Sequence, residues 1–377
     1  MNAVILAAGH SSRMYTSGQH IHKPLLQIQG MPNIERTILM LNDFGVDDII
    51  VIAGKYADQY KYLHSKYNCT IIADINCSIS TLYGIYCIKD KIGDTFIIEG
   101  DVVLAENIFK YESYSYYYVM KYKNPEKDSW RPITNALGKI VSFDIGQFSE
   151  PCIFGISFWS KEDAKQLQSY LNQICTLRNL NDSSRFWDDY FVDYLDVLSI
   201  YTFEISSDSA AEMNDVNEYF RAEQLCQQFY LSPEKYFLNL NDYNNHFSFS
   251  INNDLTIKYT QLLLEDYNTK HPDNIQQANA PLEVADNEFS YILWWKKKNI
   301  GFIDLVIEKN FLLLRRIYIN EKYRNRSLGS KLLKKVIVFS KLINKELRVN
   351  VYDENAARFY KHLGFKVNFV NYVFRGE

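Results

Sequence analysis

Residues 3–26 read AVILAAGHSSRMYTSGQHIHKPLL, and this stretch decides the fold of the first half of the chain. An apolar run, Val4-Ile5-Leu6-Ala7-Ala8, stops at Gly9 and is followed by small polar residues, by Arg13, and by Lys23-Pro24-Leu25-Leu26. A buried strand that ends in glycine can turn its backbone N–H groups toward an anion with no side chain in the way. Arg13 and Lys23 add fixed positive charge, one as a planar fork and the other as a point charge. The expectation is a strand–turn unit that cradles a triphosphate with Leu6, Ala7, Ala8, Gly9, Ser11 and Ser12, with Arg13 and Lys23 as its catalytic cations.

Working outward, 377 residues are too many for one ordinary core and predict two domains, placed at 1–230 and 236–377. A hydrophobic content of 47% with 15 Gly and 8 Pro fits globular material. No apolar run approaches the roughly 20 residues of a membrane span, so no membrane partner is expected. Six cysteines, all before residue 230 and without paired metal spacing, read as reduced thiols of a cytoplasmic protein. The net charge of −4 hides an asymmetry: residues 290–377 carry 19 Lys and Arg against 7 Asp and Glu, or +12, leaving −16 for residues 1–289. Such a split implies two modules with different ligands.

Up to about residue 105 strand-like runs (3–7, 48–53, 69–73, 95–98) alternate with helical patterns (33–43, 56–67, 79–89). Ile34, Ile38 and Leu41 share one helix face, and Gly45 stops that helix. This alternation predicts an α/β domain with a doubly wound, mostly parallel sheet that binds ligands at the carboxyl ends of its strands. Residues 106–228 mix strands (113–121, 139–144, 152–158, 198–204) with helices near 161–171 and 216–229, and the tyrosine run 111–118 reads as a half-buried strand. Beyond Tyr230 an Asn-rich stretch reads as the junction or the first turns of a second domain.

Glu99-Gly100-Asp101 follows the strand TFIIE, and a carboxylate there is placed to hold Mg²⁺ against phosphates. The opening stretch resembles the LAAG-x-G-S-R-M…K-P-L signature of nucleoside-triphosphate transferases, with Ser11 at the second glycine. From Met31 to Leu104 the resemblance narrows to bacterial phosphocholine cytidylyltransferases and relatives acting on phosphonylated amines. Trp130, GISFWSKEDA at 155–164, Trp187-Asp188-Asp189 and the closing Glu212-Met213-Asn214-Asp215 agree with it, over roughly residues 1–228. The resemblance implies a Rossmann-like nucleotidyltransferase fold, CTP as cosubstrate, Asp101 as magnesium ligand, and Asn214 or its neighbour Asp215 at the second metal position. It also places Ser78, in a segment where the family has paired asparagines, near the nucleotide. For the acceptor, aromatic faces would suit a quaternary ammonium and carboxylates a primary amine. Trp130, Trp187, Asp188 and Asp189 are the substrate-binding candidates, with Phe186, Tyr83 and Tyr86 as further aromatics.

Residues 288–377 carry an independent signature. SYILWW, IGFIDLVIE and FLLLRRIYIN read as an antiparallel meander, followed by EKYRNRSLGSKLL and by a strand, a helix and a final strand in ELRVNVYDENAARFYKHLGFK. This resembles the GNAT acyltransferase family, an α+β fold whose R/Q-x-x-G-x-G/A loop binds the pyrophosphate of acyl-CoA at a helix N-terminus. The resemblance assigns Arg324, Arg326, Ser327, Gly329, Ser330 and Asn355 to acetyl-CoA, with Ser327 at the loop's first glycine, and Tyr360 to protonation of the leaving thiolate. Glu308 and Glu321 are the candidates for a base. The basic loop accounts for the local charge without nucleic acid.

The combined expectation is a bifunctional enzyme of small-molecule substrates: CTP-dependent transfer to a phosphorylated or phosphonylated amine, and acetyl-CoA-dependent N-acetylation. Two alternatives stay open: a sugar-1-phosphate nucleotidylyltransferase joined to an amino-sugar acetyltransferase, and a chain in which Asn214 or Ser327 marks one domain as an inactive regulatory module.

Overall fold

A computed structural model describes residues 1–11, 22–122, 128–230, 233–240, 247–270, 272, 287–351 and 354–366. The chain divides into two compact units, Met1–Ser248 and, in the main, Phe249–Lys341 with Lys345–Glu377.

The first unit is built on a seven-stranded sheet with Asn2–Leu6 near its middle. The order is Ile200–Ile205, Ser115–Met120, Cys152–Trp159, Thr95–Glu99, Asn2–Leu6, Asp48–Ile52, Thr70–Ile72. Pairing is parallel except around Cys152–Trp159, which runs antiparallel to both neighbours. The opening strand is thus flanked by Asp48–Ile52 and Thr95–Glu99, in a register that sets Leu6 beside Ile52 and Glu99. Its alternate residues can be apolar on both sides because both faces are covered. On one face Val4, Ile50, Ile52 and Ile97 pack with Leu82, Ile85, Trp159, Leu167 and Phe191.

Two elements are more buried than the sequence pattern predicts. The helix Asn33–Phe44 ends at Gly45, whose φ of 112° closes it, but eleven of its residues are buried. Arg36 is among them, donating to the Leu104 carbonyl at 2.9 Å. The tyrosine strand Ser115–Met120 is buried along its whole length, where a half-buried strand was expected. It lies inside the sheet with both faces covered, and the Tyr118 hydroxyl donates to the Ile108 carbonyl at 3.1 Å. A short strand, Ala210–Glu212, pairs antiparallel with Val102–Leu104, aligning Glu212 with Val102.

The second unit contains a five-stranded sheet ordered Phe247–Ser250, Glu288–Trp295, Lys298–Ile307, Phe311–Ile319, Glu346–Val349. The three middle strands form the expected meander, and Phe311–Ile319 pairs parallel with Glu346–Val349 across the helix Leu328–Leu342. The strand Phe247–Ser250 lies in the stretch read as the junction or first turns of a second domain, and the helix Asn253–Lys270 follows it. Tyr259 of that helix packs on Phe302 with ring centroids 6.1 Å apart. The expected final strand lies outside the described residues. Among the described residues no helix is long and apolar enough to cross a membrane.

Candidate active site

Three backbone segments meet at the carboxyl end of the opening strand. Ala7 N–H bonds the Ile52 carbonyl at 2.8 Å and Gly100 N–H bonds the Leu6 carbonyl at 3.0 Å. A Cβ on Gly100 would stand 2.6 Å from the Leu6 oxygen and 2.8 Å from Pro24 Cγ, so only glycine lets these turns close together. Gly54, with φ +55°, is similarly confined by Ser78 Oγ and Ala8 Cβ. Ser78 Oγ in turn accepts from the Lys55 N–H at 3.0 Å, tying that loop to the segment after Asp48–Ile52. Ser11 takes the left-handed conformation with φ 49°, a region that favours glycine, and its Oγ accepts from the Lys23 N–H at 3.0 Å.

Lys23 is 8% exposed, and its Nζ sits 3.0 Å from Asp101 Oδ2 and 3.4 Å from Asn214 Oδ1. The strand Ala210–Glu212 delivers this convergence, and Met213 N–H bonds the Asp101 carbonyl at 3.0 Å. Of Asn214 and Asp215, it is Asn214 whose side chain reaches Lys23. Asp215 Oδ1 accepts from the N–H groups of Asn217 and Glu218 at 3.0 Å each and caps the helix Val216–Tyr230, while Asn214 turns to Lys23. Among the described residues no three acidic, His or Cys side chains form a metal cage by themselves. One carboxylate and one amide oxygen aimed at a common point are nonetheless the hard donor set of a cation that takes its remaining ligands from phosphate and water. Ser12 and Arg13 lie outside the described residues.

Near this centre lies a small, mostly apolar hollow with one carboxylate, Asp188, and no room for a water molecule. Tyr117, Trp130, Phe143, Asp188 and Phe191 line it, with Trp130 and Phe143 rings 5.3 Å apart. Burial pushes the Asp188 carboxyl up to about 6. Burial, then the charge of Asp101, pushes Glu212 up to about 7, and burial with the charges of Asp101, Asp188 and Glu212 holds Glu99 well above the usual carboxylate range. Asp101, Asp188 and Glu212 thus lie close enough to Glu99 for their charges to raise it.

The other acceptor candidates have local partners. Trp187 is 3% exposed and packs on Trp159 and Phe191, so its ring belongs to the core, a correction to its reading as a substrate contact. Asp189 Oδ2 accepts from the Phe186 N–H at 2.6 Å and closes its own turn. Tyr83 donates to Asp74 at 3.0 Å, and Lys89 lies over the Tyr86 ring. Sequence reasoning missed Glu212, Gly54 and a group around His22 (Tyr56, Tyr60); the adjacency of His22 to Lys23 was the available signal.

In the second unit the basic loop leads into the helix Leu328–Leu342, whose first turn offers N–H groups to an anion. Ser327 has φ +57°, again in the left-handed region that favours glycine, and its carbonyl accepts the Lys331 N–H at 3.0 Å. Arg324 is held by the Ile319 carbonyl at 2.9 Å, and Arg326 lies over the Tyr323 ring. Gly329 faces Phe359 and Ile319, and Ser330 is part-buried in the same first turn. Tyr360 is 7% exposed on the helix Glu354–His362, between Phe359 and Phe365. The helix also carries Asn355, whose side chain lies outside the described part. Glu321 sits in a surface turn against Arg324, and Glu308 in the hairpin turn that joins two meander strands. A buried network went unread: Asp304, fully buried, accepts from Arg315 at 2.7 Å and from Arg316 at 2.6 Å, and Arg315 also pairs with Glu288 at 2.6 Å.

Comparison with known proteins matches each half of the chain to a family. The MobA-like NTP transferase domain matches residues 3–110, and the acetyltransferase (GNAT) domain matches residues 286–367. The chain is 35% identical over 221 residues to the choline-phosphate cytidylyltransferase of Haemophilus influenzae, covering 58% of this chain and 94% of that protein. It is 30% identical over 224 residues to the 2-aminoethylphosphonate cytidylyltransferase of Lancefieldella rimae, covering 58% of this chain and 89% of that protein. The solved CTP:phosphocholine cytidylyltransferase of Streptococcus pneumoniae superposes with a TM-score of 0.55 at 25% identity, over 59% of this chain and 98% of that one.

Proposed function

The chain belongs, through its first unit, to the choline-phosphate cytidylyltransferase family, and from that premise we propose that it transfers CMP from CTP to a small acceptor bearing an anionic phosphate or phosphonate and a cationic amine. The observation that carries the reading is the convergence of Lys23 Nζ on Asp101 (3.0 Å) and Asn214 (3.4 Å) beside the Gly9–Ser11 turn. The acceptor's phosphate or phosphonate oxygen forms a bond to the α-phosphorus as the bond from that phosphorus to the bridging oxygen breaks. Pyrophosphate leaves with the electron pair. The nucleophile is anionic near pH 7, so positioning and charge stabilisation suffice and no base is needed. Lys23 and the turn's N–H groups neutralise the triphosphate, with Arg13 assigned the same role by its place in the motif. Asp101 and the Asn214 carbonyl are the residues that would hold Mg²⁺, which supplies Lewis-acid stabilisation of phosphate charge.

Asp188 is the candidate charge for the acceptor's ammonium end, and Trp130, Tyr117 and Phe143 are its candidate aromatic faces, in a hollow that must widen to admit it. Phosphocholine and 2-aminoethylphosphonate both meet this description. For the second unit we propose N-acetylation by acetyl-CoA, with the helix N-terminus after Ser327 receiving the cofactor's pyrophosphate and Tyr360 returning a proton to the thiolate. Kinetics of pyrophosphate release test the first reading. Lys23→Ala and Asp101→Asn are each expected to lower kcat by about 100-fold or more, as removal of a charge-stabilising group does. Full activity in either variant would refute the assignment.

A further inference from the structure

The residue before Lys23 carries contacts that the proposed chemistry does not use. His22 is 1% exposed. Its Nε2 lies 2.5 Å from the Gly9 carbonyl oxygen, its Nδ1 bonds the Tyr60 hydroxyl, and its ring stacks on Tyr56 with centroids 4.2 Å apart. A carbonyl only accepts, so Nε2 carries the proton toward Gly9, and Tyr60 donates to Nδ1. Burial pushes the Tyr60 hydroxyl up, which keeps it a donor. The next residue repeats the tie, because Lys23 N–H donates to Ser11 Oγ at 3.0 Å. Two consecutive residues thus pin both ends of the Gly9–Ser11 turn.

The consequence follows from peptide geometry. In a trans peptide the C=O of one residue and the N–H of the next point in opposite directions. Drawing the Gly9 oxygen inward to His22 turns the His10 N–H outward, on the exposed side where Gly9 and His10 lie. It also removes a carbonyl dipole that would repel phosphate oxygens. We infer that His22 is a positioning residue for triphosphate binding, fixing the Gly9–His10 peptide with its N–H toward the anion through the Nε2–Gly9 contact. The inference rests on the reading of this turn as the triphosphate site.

The test uses the full chain and compares wild type with His22→Phe, His22→Gln and Tyr60→Phe, by calorimetric binding of CTP and of CMP and by pyrophosphate-release kinetics. His22→Phe keeps an aromatic ring and loses both nitrogens; it should weaken CTP about tenfold and leave CMP within about twofold, the scale of one lost hydrogen bond. KM for CTP should rise more than kcat falls. His22→Gln, whose amide nitrogen takes the place of Nε2, should recover most of the CTP affinity, and Tyr60→Phe should fall between. Equal losses for CTP and CMP, or a Gln variant no better than Phe with both melting as wild type, would overturn the inference. Should His22→Phe fail to fold, the Gln and Tyr60→Phe variants carry the same CTP-against-CMP comparison. A wild type that binds CTP yet releases no pyrophosphate with any acceptor would sink the transferase reading, and the binding comparison would still decide the role of His22. A wild type that binds no CTP would overturn both.

Discussion

Two serines show how a single residue can depart from a motif and keep its backbone. Ser11 and Ser327 both stand where a glycine belongs, and both hold left-handed φ values, 49° and 57°. A side chain in that region costs of the order of 1 kcal/mol. Ser327→Gly is therefore expected to stabilise the protein by roughly that amount in a urea melt. Ser11→Gly should be close to neutral, because the relief is offset by loss of the 3.0 Å bond from the Lys23 N–H. The sequence showed both substitutions but could not show that the turns retain their shape. Asp188 supplies the pH prediction. Its carboxyl is raised by burial to about 6, so it gains a proton and loses its charge as pH falls through that value. Acceptor kcat/KM should decline below pH 6, and Asp188→Asn should lower it at pH 8 while flattening that decline. An unchanged acidic limb in Asp188→Asn would assign the titration elsewhere.

Elements were legible where their own periodicity decides their fate and less so where neighbours do. The strand–helix alternation of the first hundred residues, the stop at Gly45 and the meander of the second unit follow from local pattern. The full burial of Asn33–Phe44 and of Ser115–Met120 does not, because it depends on layers contributed by distant sequence. The same holds for the site: Lys23 and Asp101 could be named from motifs, while the pairing of Ala210–Glu212 with Val102–Leu104 that brings Asn214 to them could not. Gly100 tests how tightly these turns are nested. Its missing Cβ would meet backbone at 2.6 Å, so Gly100→Ala should destabilise by about 1–3 kcal/mol and lower activity by displacing Asp101. In the second unit, Asp304→Asn would leave Arg315 and Arg316 without their shared, fully buried anion. A loss of about 3–5 kcal/mol is expected by chemical denaturation, the cost of breaking a buried charge pair.

At the scale of the whole chain, the charge divides as the two compact units do: net −11 over residues 1–248 and +7 over residues 249–377, with the basic excess concentrated in residues 290–377 at +12. The acidic part carries Asp188 and its aromatic neighbours, and the basic part carries the loop that leads into the helix Leu328–Leu342. If each unit catalyses its own step, full-length Lys23→Ala should abolish pyrophosphate release and spare CoA release from acetyl-CoA, with Tyr360→Phe giving the reverse pattern. The central claim concerns the first unit, and its most direct measurement is pyrophosphate release by the full chain with CTP and Mg²⁺, comparing phosphocholine and 2-aminoethylphosphonate with a hexosamine 1-phosphate. The account predicts turnover with at least one of the two amines and little with the sugar phosphate. Turnover confined to the sugar phosphate would contradict it.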